Sequence, residues 1–297
     1  MKYTLQIMPN WINDWFFLDN ILQDLHDLHE VQEIELDFYF LFDVHPKGVV
    51  MLLTISNNLF QITNTKIKIK NIYSGVLSYL EKIKFLNSDL FNIDYDSIIF
   101  EDVLERPIYD SGIDITHITS PKEKIKLVSD VKEMLEIWFP EDKYRMLKHS
   151  TLSSLMELCG NSLEHSGLSE SSGSCFVMMQ KSLLRDFIEV NIVTTDLGIG
   201  IKNHQERKYG TLYSNDYQYI KKALAGISGR LDNTGGFGLQ TIQNSIKENN
   251  GQLIIKSGRG TVSISNENSH IEGQYSLPGT QCAITLRKPM NHLLTIG

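Results

Sequence analysis

An α/β fold in two units is predicted by the length, the composition and the order of patterned segments in this chain. Its 297 residues correspond to about two domains at roughly 150 residues each. The apolar fraction of 41% and the charged fraction of 22% are typical of a globular protein. Strand-like runs alternate with helix-like runs along residues 1–90, as expected for strands joined by crossover helices. Disorder, collagen-like repeats and a coiled coil are therefore excluded as descriptions of the whole chain.

Residues 1–90 are predicted to form a small N-terminal α/β domain. Alternating apolar residues predict strands, and apolar residues three and four positions apart predict helices. Residues 91–119 have no helical period and are predicted to be a connector with short strand pieces. In chain order, the elements expected before the connector are a strand over 3–8, a helix over 13–28, a strand over 33–40, a helix over 46–59, a strand over 66–70 and a helix over 74–85.

A second domain, over residues 120–297, is predicted to open with the helix signal S-P-K-E at 120–123. Serine at the N-cap, proline at the first helical position and glutamate at the third form a capping box. We expect this helix to end at about Trp138.

The net charge of −8 excludes a general electrostatic attraction to nucleic acid or anionic membranes, so we expect neither as a partner. The longest apolar cluster, over 48–55, is much shorter than the roughly 18 apolar residues of a spanning helix. The N-terminus reaches Pro, Asn and Asp before any signal-type apolar region forms. Three widely spaced cysteines fit neither a disulfide framework nor a zinc site. These features predict a cytoplasmic protein.

Polar side chains recur on one face of the helix that is predicted to begin near Glu141. Asn161 follows Glu157 by four positions, and Glu164 or His165 follows by seven or eight, so these residues share a face. A carboxamide oxygen can ligate Mg²⁺, and a carboxylate can take a proton from an attacking nucleophile. The pattern indicates a candidate metal–nucleotide site, although the solvent face of an ordinary surface helix has the same composition.

A D-x-G-x-G motif follows the second of two predicted strands, which span 174–179 and 187–193. Asp196 comes soon after that strand, and Gly198 and Gly200 follow at alternate positions. A carboxylate at a strand end can accept a hydrogen bond from an exocyclic amine, and glycines let the backbone approach a flat ring closely. Taken alone, this motif fits a tight hairpin turn better.

A glycine-rich loop, T-G-G-F-G-L, leads into a predicted helix over 240–248. Its Gly236 and Gly238 place unpaired N–H groups at the helix start, where such groups bind phosphate. The loop lacks the Lys-Ser/Thr of a P-loop and the preceding strand of a Rossmann turn. The helix is predicted to stop at the left-handed sequence N-N-G at 249–251, before a strand over 253–257.

A fourth motif, Gly279-Thr280 before a strand over 281–286, supplies a hydroxyl and completes an ordered set. E-x-x-x-N, D-x-G-x-G, G-x-G-L and G-T in this order resemble the motifs of the GHKL superfamily of ATP-binding domains. That superfamily includes histidine kinases, anti-sigma-factor serine kinases, type II topoisomerases, heat-shock protein 90 chaperones and MutL. The resemblance covers about residues 120–290 and implies a Bergerat-type two-layer α/β sandwich, a mixed sheet packed against helices.

The resemblance implies ATP and Mg²⁺ as cofactors and a role for each motif residue. Glu157 would be the general base or would position the attacking water, and Asn161 would coordinate Mg²⁺ between phosphates. Asp196 would bind the adenine amine, and Gly198 and Gly200 would shape its pocket.

The glycine-rich loop would bind the phosphates. Backbone N–H groups of Gly236 and Gly238 would donate to them, with Phe237 and Leu239 in the same loop as binding residues. Thr280 would support the adenine through its hydroxyl, by way of a water.

Residues 201–234 would form the lid over ATP. Its Lys221, Lys222 and Arg230 are candidate phosphate partners, although charged lid residues are usually only solvated. His165 follows a pattern of some superfamily members, and local packing or capping at a helix end explains it equally well.

Within the superfamily, the closest resemblance is to the anti-sigma-factor type. His149 is followed by Ser-Thr-Leu and lies inside a predicted helix of the ATP domain, unlike a phosphoacceptor histidine. The chain continues only briefly after its last predicted strand, so we expect no transducer or middle domain. Residues 261–278 form an extra predicted hairpin to which the sequence assigns no role.

The N-terminal domain resembles a STAS domain, the fold of anti-sigma-factor antagonists. The resemblance runs from E-I-E-L-D-F through the helix over 46–59 to I-K-I-K-N-I. STAS antagonists carry a phosphorylatable hydroxyl at the start of that helix, and here the turn D-V-H-P-K-G at 43–48 has none. We therefore expect a docking platform, either for the ATP domain in cis or for a partner.

These resemblances predict a protein that binds Mg-ATP, hydrolyses it slowly and uses lid closure to regulate a partner protein. Two alternatives stay open, a serine/threonine kinase of the anti-sigma type and a nucleotide-dependent binding module without hydrolysis. The identity of the partner and self-association into a homodimer are open as well.

Overall fold

A computed structural model describes residues 2–23, 31–87, 89–100, 109–165, 173–184, 186–227, 229 and 238–290. These residues form helices and two sheets, one parallel and one antiparallel, which confirms the α/β class. Among them, no helix has the length and apolar character needed to cross a bilayer.

The first sheet has four parallel strands in the order β1-β2-β3-β4. Because successive parallel strands are neighbours and right-handed crossovers are the rule, the connecting helices lie on one face of the sheet. Its elements are β1 (Lys2–Gln6), α1 (Pro9–Asn13), α2 (Asp19–Leu22), β2 (Glu33–Asp37), α3 (Pro46–Thr63), β3 (Ile67–Lys70), α4 (Ser74–Lys82) and β4 (Phe91–Ile93).

The second sheet has five strands in the order β5-β6-β7-β9-β8. Strands β4 and β5 both lie in the stretch 91–119, one in each sheet. The elements of this unit are β5 (Tyr109–Ile118), α5 (Pro121–Trp138), α6 (Arg145–His165), β6 (Cys175–Leu183), β7 (Phe187–Thr195), α7 (Gly200–Tyr209), α8 (Asp216–Leu224), α9 (Gly238–Glu248), β8 (Gln252–Ile264) and β9 (Ser269–Pro289).

The prediction of a mixed sheet in the second unit is wrong for the strands that the structure describes. Every pairing in this sheet is antiparallel. The reason is the position of β8, which lies at the edge, while β9 returns from it and takes the place beside β7.

The predicted helix over 13–28 is also wrong in its described part. Short helical pieces replace it, namely α1, a 3₁₀ turn at Trp15–Phe17 and α2, and residues 24–30 lie outside the described chain. Asp14 is extended, and its carboxylate accepts a hydrogen bond from Phe16 N at 3.1 Å. Aspartate competes with helix hydrogen bonds in this way. Trp15, Leu18 and Leu22 are nevertheless buried, as the apolar stripe predicted.

Two predicted helix boundaries are confirmed by their capping contacts. Helix α5 runs from Pro121 to Trp138, and the Ser120 side chain accepts from Glu123 N at 3.3 Å. Helix α9 ends at the predicted left-handed stop, where Asn250 has a φ of 45°.

Helix α3 joins the two units. Eight consecutive residues, Val49 to Ser56, are buried, as in a helix that is covered on all sides. It contacts β6, β7 and β9 on the face of the second sheet opposite to α5, α6 and α9. Thr54 and Thr195 share a buried hydrogen bond of 2.8 Å. The second sheet is therefore covered on both faces: α3 packs on one, and α5, α6 and α9 pack on the other, where helices and sheet together can form a site.

Candidate functional site

A cavity of about 440 Å³ lies between α5, α6, helices α7 and α8 of the predicted lid, the start of α9, and strands β8 and β9. Its volume is within the range of small-molecule sites. Seven of the residues that the sequence predicted for the site line this cavity: Glu157, Asn161, Asp196, Gly200, Gly238, Leu239 and Thr280.

Three other predicted site residues have different outcomes. Gly198 does not line the cavity, but its N–H donates to Asp196 Oδ1 at 2.9 Å. Gly236 and Phe237 lie outside the described residues.

Asp196 is the most deeply buried acid of the cavity, with 6% of its surface exposed. Its Oδ1 accepts hydrogen bonds from the N–H groups of Gly198 and Thr280, at 2.9 and 3.2 Å. Ser162, which the sequence analysis missed, also hydrogen-bonds to this carboxyl. Burial raises the pKa of Asp196 to about 7, against the opposing effect of these hydrogen bonds. A buried carboxyl in a cavity wall is a strong point of recognition for a ligand donor.

Two glycines bring the strand ends together around this carboxyl. Gly279 has a φ of +77°, and a Cβ there would overlap the carbonyl oxygen of Asp196. Gly200 has a φ of +75°, and a Cβ there would lie 2.9 Å from Ser257 Oγ. Both positions therefore require glycine for conformation and for space.

Ser257 connects the motif loops and carries no sequence signal of its own. Its Oγ accepts from Ile201 N at 2.9 Å and donates to the carbonyl of Gly279 at 3.0 Å. It also lies 3.3 Å from Thr280 Oγ1, which lines the cavity. This serine therefore connects the start of α7 to the Gly279-Thr280 turn.

The first and third motifs meet in the cavity wall. A Cβ on Gly238 would overlap Oε2 of Glu157, so the start of α9 lies directly against this carboxylate. Asn161 is one turn further along α6 and lines the same wall. The predicted neighbourhood of Glu157, Asn161 and the described end of the glycine-rich loop is therefore present.

The cationic residue of the cavity differs from those that the sequence suggested. Lys124 of α5 is the only Lys or Arg among the described lining residues, and its Nζ lies 3.4 Å from where a Cβ on Gly160 would be. Lys221 and Lys222 do not line the cavity, and Lys222 Nζ instead lies 5.9 Å from the ring centre of Tyr213. Arg230 is outside the described residues.

The remaining wall is largely apolar and includes residues that no motif marked. Glu164 also lines the cavity, whereas the side chain of His165 is outside the described part of the structure. A flat ring could be enclosed by this wall, which is formed by Met156, Ile201, Ala223, Ile227, Leu239 and Ile255.

Comparisons with known proteins add no family. No protein-family model matches the chain, and a search of curated proteins finds no match. Within the described residues there is no group of three or more His, Cys, Asp or Glu side chains that could hold a metal by itself. A proposal of function therefore has to be argued from the chemistry of the cavity.

Proposed function

We propose that this protein binds an adenine nucleotide with Mg²⁺ in the cavity, hydrolyses ATP slowly, and uses the lid helices to regulate a partner protein. One observation carries the proposal. Four separate sequence motifs converge on a single cavity whose lining includes a buried carboxyl and a lysine. We also propose that the second unit is a GHKL-type Bergerat domain and that the N-terminal unit is STAS-like.

The adenine would be held at Asp196. A carboxylate accepts a hydrogen bond from the exocyclic amine of adenine, whereas guanine presents a carbonyl oxygen at the same place. The amide N–H groups that fix Oδ1 orient the carboxyl, and Thr280 adds a hydroxyl nearby. Selection of adenine over guanine follows from this acceptor.

The phosphates would lie toward Lys124, Asn161 and the start of α9. Asn161 offers a neutral oxygen to Mg²⁺, which suits an ion that takes most of its ligands from phosphates and water. Lys124 would compensate phosphate charge. Mg²⁺ would supply charge neutralisation for phosphoryl transfer. Glu157, which also lines the cavity, would orient a water or accept its proton.

Thermal unfolding with Mg-ATP, Mg-GTP and no nucleotide tests the proposal. A ligand at about 100 times its Kd adds about 2.7 kcal/mol, a shift of about 4 °C or more for a chain of this size. We expect the shift with ATP and not with GTP. The same unfolding temperature with Mg-ATP, with Mg-GTP and without nucleotide would overturn the proposal.

Turnover is tested with Glu157→Gln. Removing a general base costs about 10²–10⁴-fold in rate, so single-turnover phosphate release should fall by that amount while the ATP shift persists. Wild-type protein that binds ATP without releasing phosphate over hours would leave a binding module and exclude the ATPase. Transfer of labelled phosphate to a bound protein would instead indicate a kinase.

A further inference from the structure

Strands β8 and β9 extend beyond the second sheet as a two-stranded arm, residues 258–277, which we call the hairpin arm. Its strands pair from Gly260↔Glu272 to Ser263↔Ser269. The register shifts on either side of Gly258, where the arm leaves the sheet, and such irregularities redirect a strand pair. None of its residues is among those that line the cavity.

One side of the hairpin arm binds the start of lid helix α8. Arg259 N donates to Asp216 Oδ2 at 2.9 Å, and Tyr217 N donates to Glu272 Oε2 at 3.2 Å. Glu272 thus satisfies one of the N–H groups that a helix start leaves unpaired. The ring of His270 lies 4.5 Å from that of Tyr217. Asp216 also forms an ion pair with Lys202 of α7 at 3.1 Å, so both lid helices are connected to the arm.

The other side of the same arm binds the N-terminal unit. Gln274 N donates to Asp19 Oδ2, on α2, at 2.7 Å. A Cβ on Gly273 would lie 2.6 Å from Asp19 Oδ1, so the fit is close. Tyr275 packs against the core of the N-terminal unit, and Leu277 is fully buried in it. Neither contact surface of the arm lies in the cavity.

Lys256 lies where these elements meet. It is 2% exposed, and its Nζ donates to the carbonyl of Arg259 at 3.1 Å. Burial lowers the pKa of Lys256 to about 8, and three carboxylates oppose this effect. They are Asp19 of the N-terminal unit, Glu272 of the arm and Asp216 of the lid helix. The energy of this buried ammonium therefore depends on the positions of all three elements at once.

We propose that the hairpin arm couples the N-terminal unit to the lid, so that contacts on α2 set the affinity of the cavity for nucleotide. The inference rests on the proposed nucleotide site and goes beyond it by assigning regulation of that site to a defined connection. The coupling is reciprocal: nucleotide binding changes the N-terminal unit by the same free energy. The N-terminal unit then serves as the sensor or output of the cavity, rather than as a separate platform.

The test compares two aspartates of the N-terminal unit by calorimetric titration with Mg-ATP. Asp19→Asn removes the carboxylate at the arm and should change the Kd by about fivefold or more. Asp94→Asn is the matched control, because Asp94 forms an ion pair with Lys68 at 2.8 Å and does not contact the arm in the described structure. Its Kd should equal that of the wild type.

A second readout keeps the test independent of one variant. In wild-type protein, Mg-ATP should change amide hydrogen exchange across residues 9–22, and Asp19→Asn or Glu272→Gln should remove this change. If all variants bind ATP with the wild-type Kd and Mg-ATP does not change amide exchange at residues 9–22, the arm has only a structural role and the inference is wrong. If the wild type binds no adenine nucleotide at all, the proposed function fails first and the inference fails with it.

Discussion

At the scale of single residues, the proposed site includes side chains whose surroundings no sequence pattern indicates. Asp196 was predicted from its motif, but its partner Ser162, which follows Asn161 on α6 and lines the same cavity, fits no motif. Lys124 has the sequence appearance of a solvent-facing helix residue, and only the packing of α5 on α6 brings it to the cavity. Such contacts depend on tertiary packing, which one-dimensional patterns do not contain.

The pH dependence of stability should reveal the buried carboxyl of Asp196. Its pKa is raised from 3.8 to about 7, so between these values the folded protein holds a proton that the unfolded chain has lost. The free energy of unfolding contributed by Asp196 is therefore greatest below pH 4 and is lost as the pH rises through 7, by about 4 kcal/mol. Urea unfolding at several pH values should show that Asp196→Asn removes this decline.

Comparison with the wild type isolates the effect, because both proteins contain the same histidines. A wild-type minus variant difference that stays flat from pH 4 to pH 8 would contradict the burial assigned to Asp196.

Lys124 should contribute to the binding of the phosphates and not to the binding of the adenine ring. Lys124→Gln removes a charged contact worth about 1.5–3 kcal/mol, so the Kd for Mg-ATP should rise roughly tenfold or more. The Kd for adenosine should stay within about twofold of the wild type, since no phosphate is present. Lys126→Gln is the control, because Lys126 is exposed on the same helix and does not line the cavity. Equal losses of affinity for ATP and for adenosine would show that Lys124 does not act on the phosphates.

At the scale of elements, Gly279 allows the turn within β9 to approach the backbone at Asp196, just after the end of β7. Gly279→Ala introduces strain at positive φ and an overlap with the backbone of Asp196. Gly210 provides the matched control, since its φ is +70° and no atom lies within 4 Å of where a Cβ would be. Gly210→Ala should cost about 1–2 kcal/mol in the free energy of unfolding. Gly279→Ala should cost more, by roughly another 1–3 kcal/mol, in chemical denaturation.

Equal costs for the two substitutions would mean that the approach of the two strand ends is looser than described. The same comparison separates conformational strain from packing, which a single glycine substitution cannot do.

Local chemistry decided which elements could be predicted. Helix α5 was predicted to its last residue, because its cap and its end are both encoded within the helix and its neighbours. The helix over 13–28 was not, because Asp14 supplies a competing local hydrogen bond within an otherwise helical apolar pattern. The order of the second sheet was not predictable either, since the choice between β8 and β9 as neighbour of β7 is a long-range one.

At the scale of the whole molecule, helix α3 makes the two units share one core. Met178, Val193 and Ala283 of the second sheet belong to the same apolar cluster as the N-terminal unit. Tyr79 of α4 also donates to Gln180 of β6 at 2.9 Å. The sequence pattern divides the chain into two units. Separating either unit from the other would nevertheless expose this shared apolar surface to water.

The shared core predicts a single unfolding transition. In the double variant Trp11→Phe/Trp138→Phe, the remaining tryptophan is the buried Trp15, which reports on the N-terminal unit, while far-ultraviolet circular dichroism reports on the whole chain. The two signals should give coincident midpoints in urea. Separate midpoints would show that the units unfold independently and that α3 contributes little across the interface.

The most direct test of the central claim is calorimetric titration of Mg-ATP into the wild type and into Asp196→Asn. We expect one binding event per wild-type chain and an affinity at least about tenfold lower in the variant, the cost of one buried hydrogen bond. Wild-type protein that produces no binding heat, in agreement with an absent thermal shift, or a variant that binds as tightly as the wild type, would contradict an adenine site at this carboxyl.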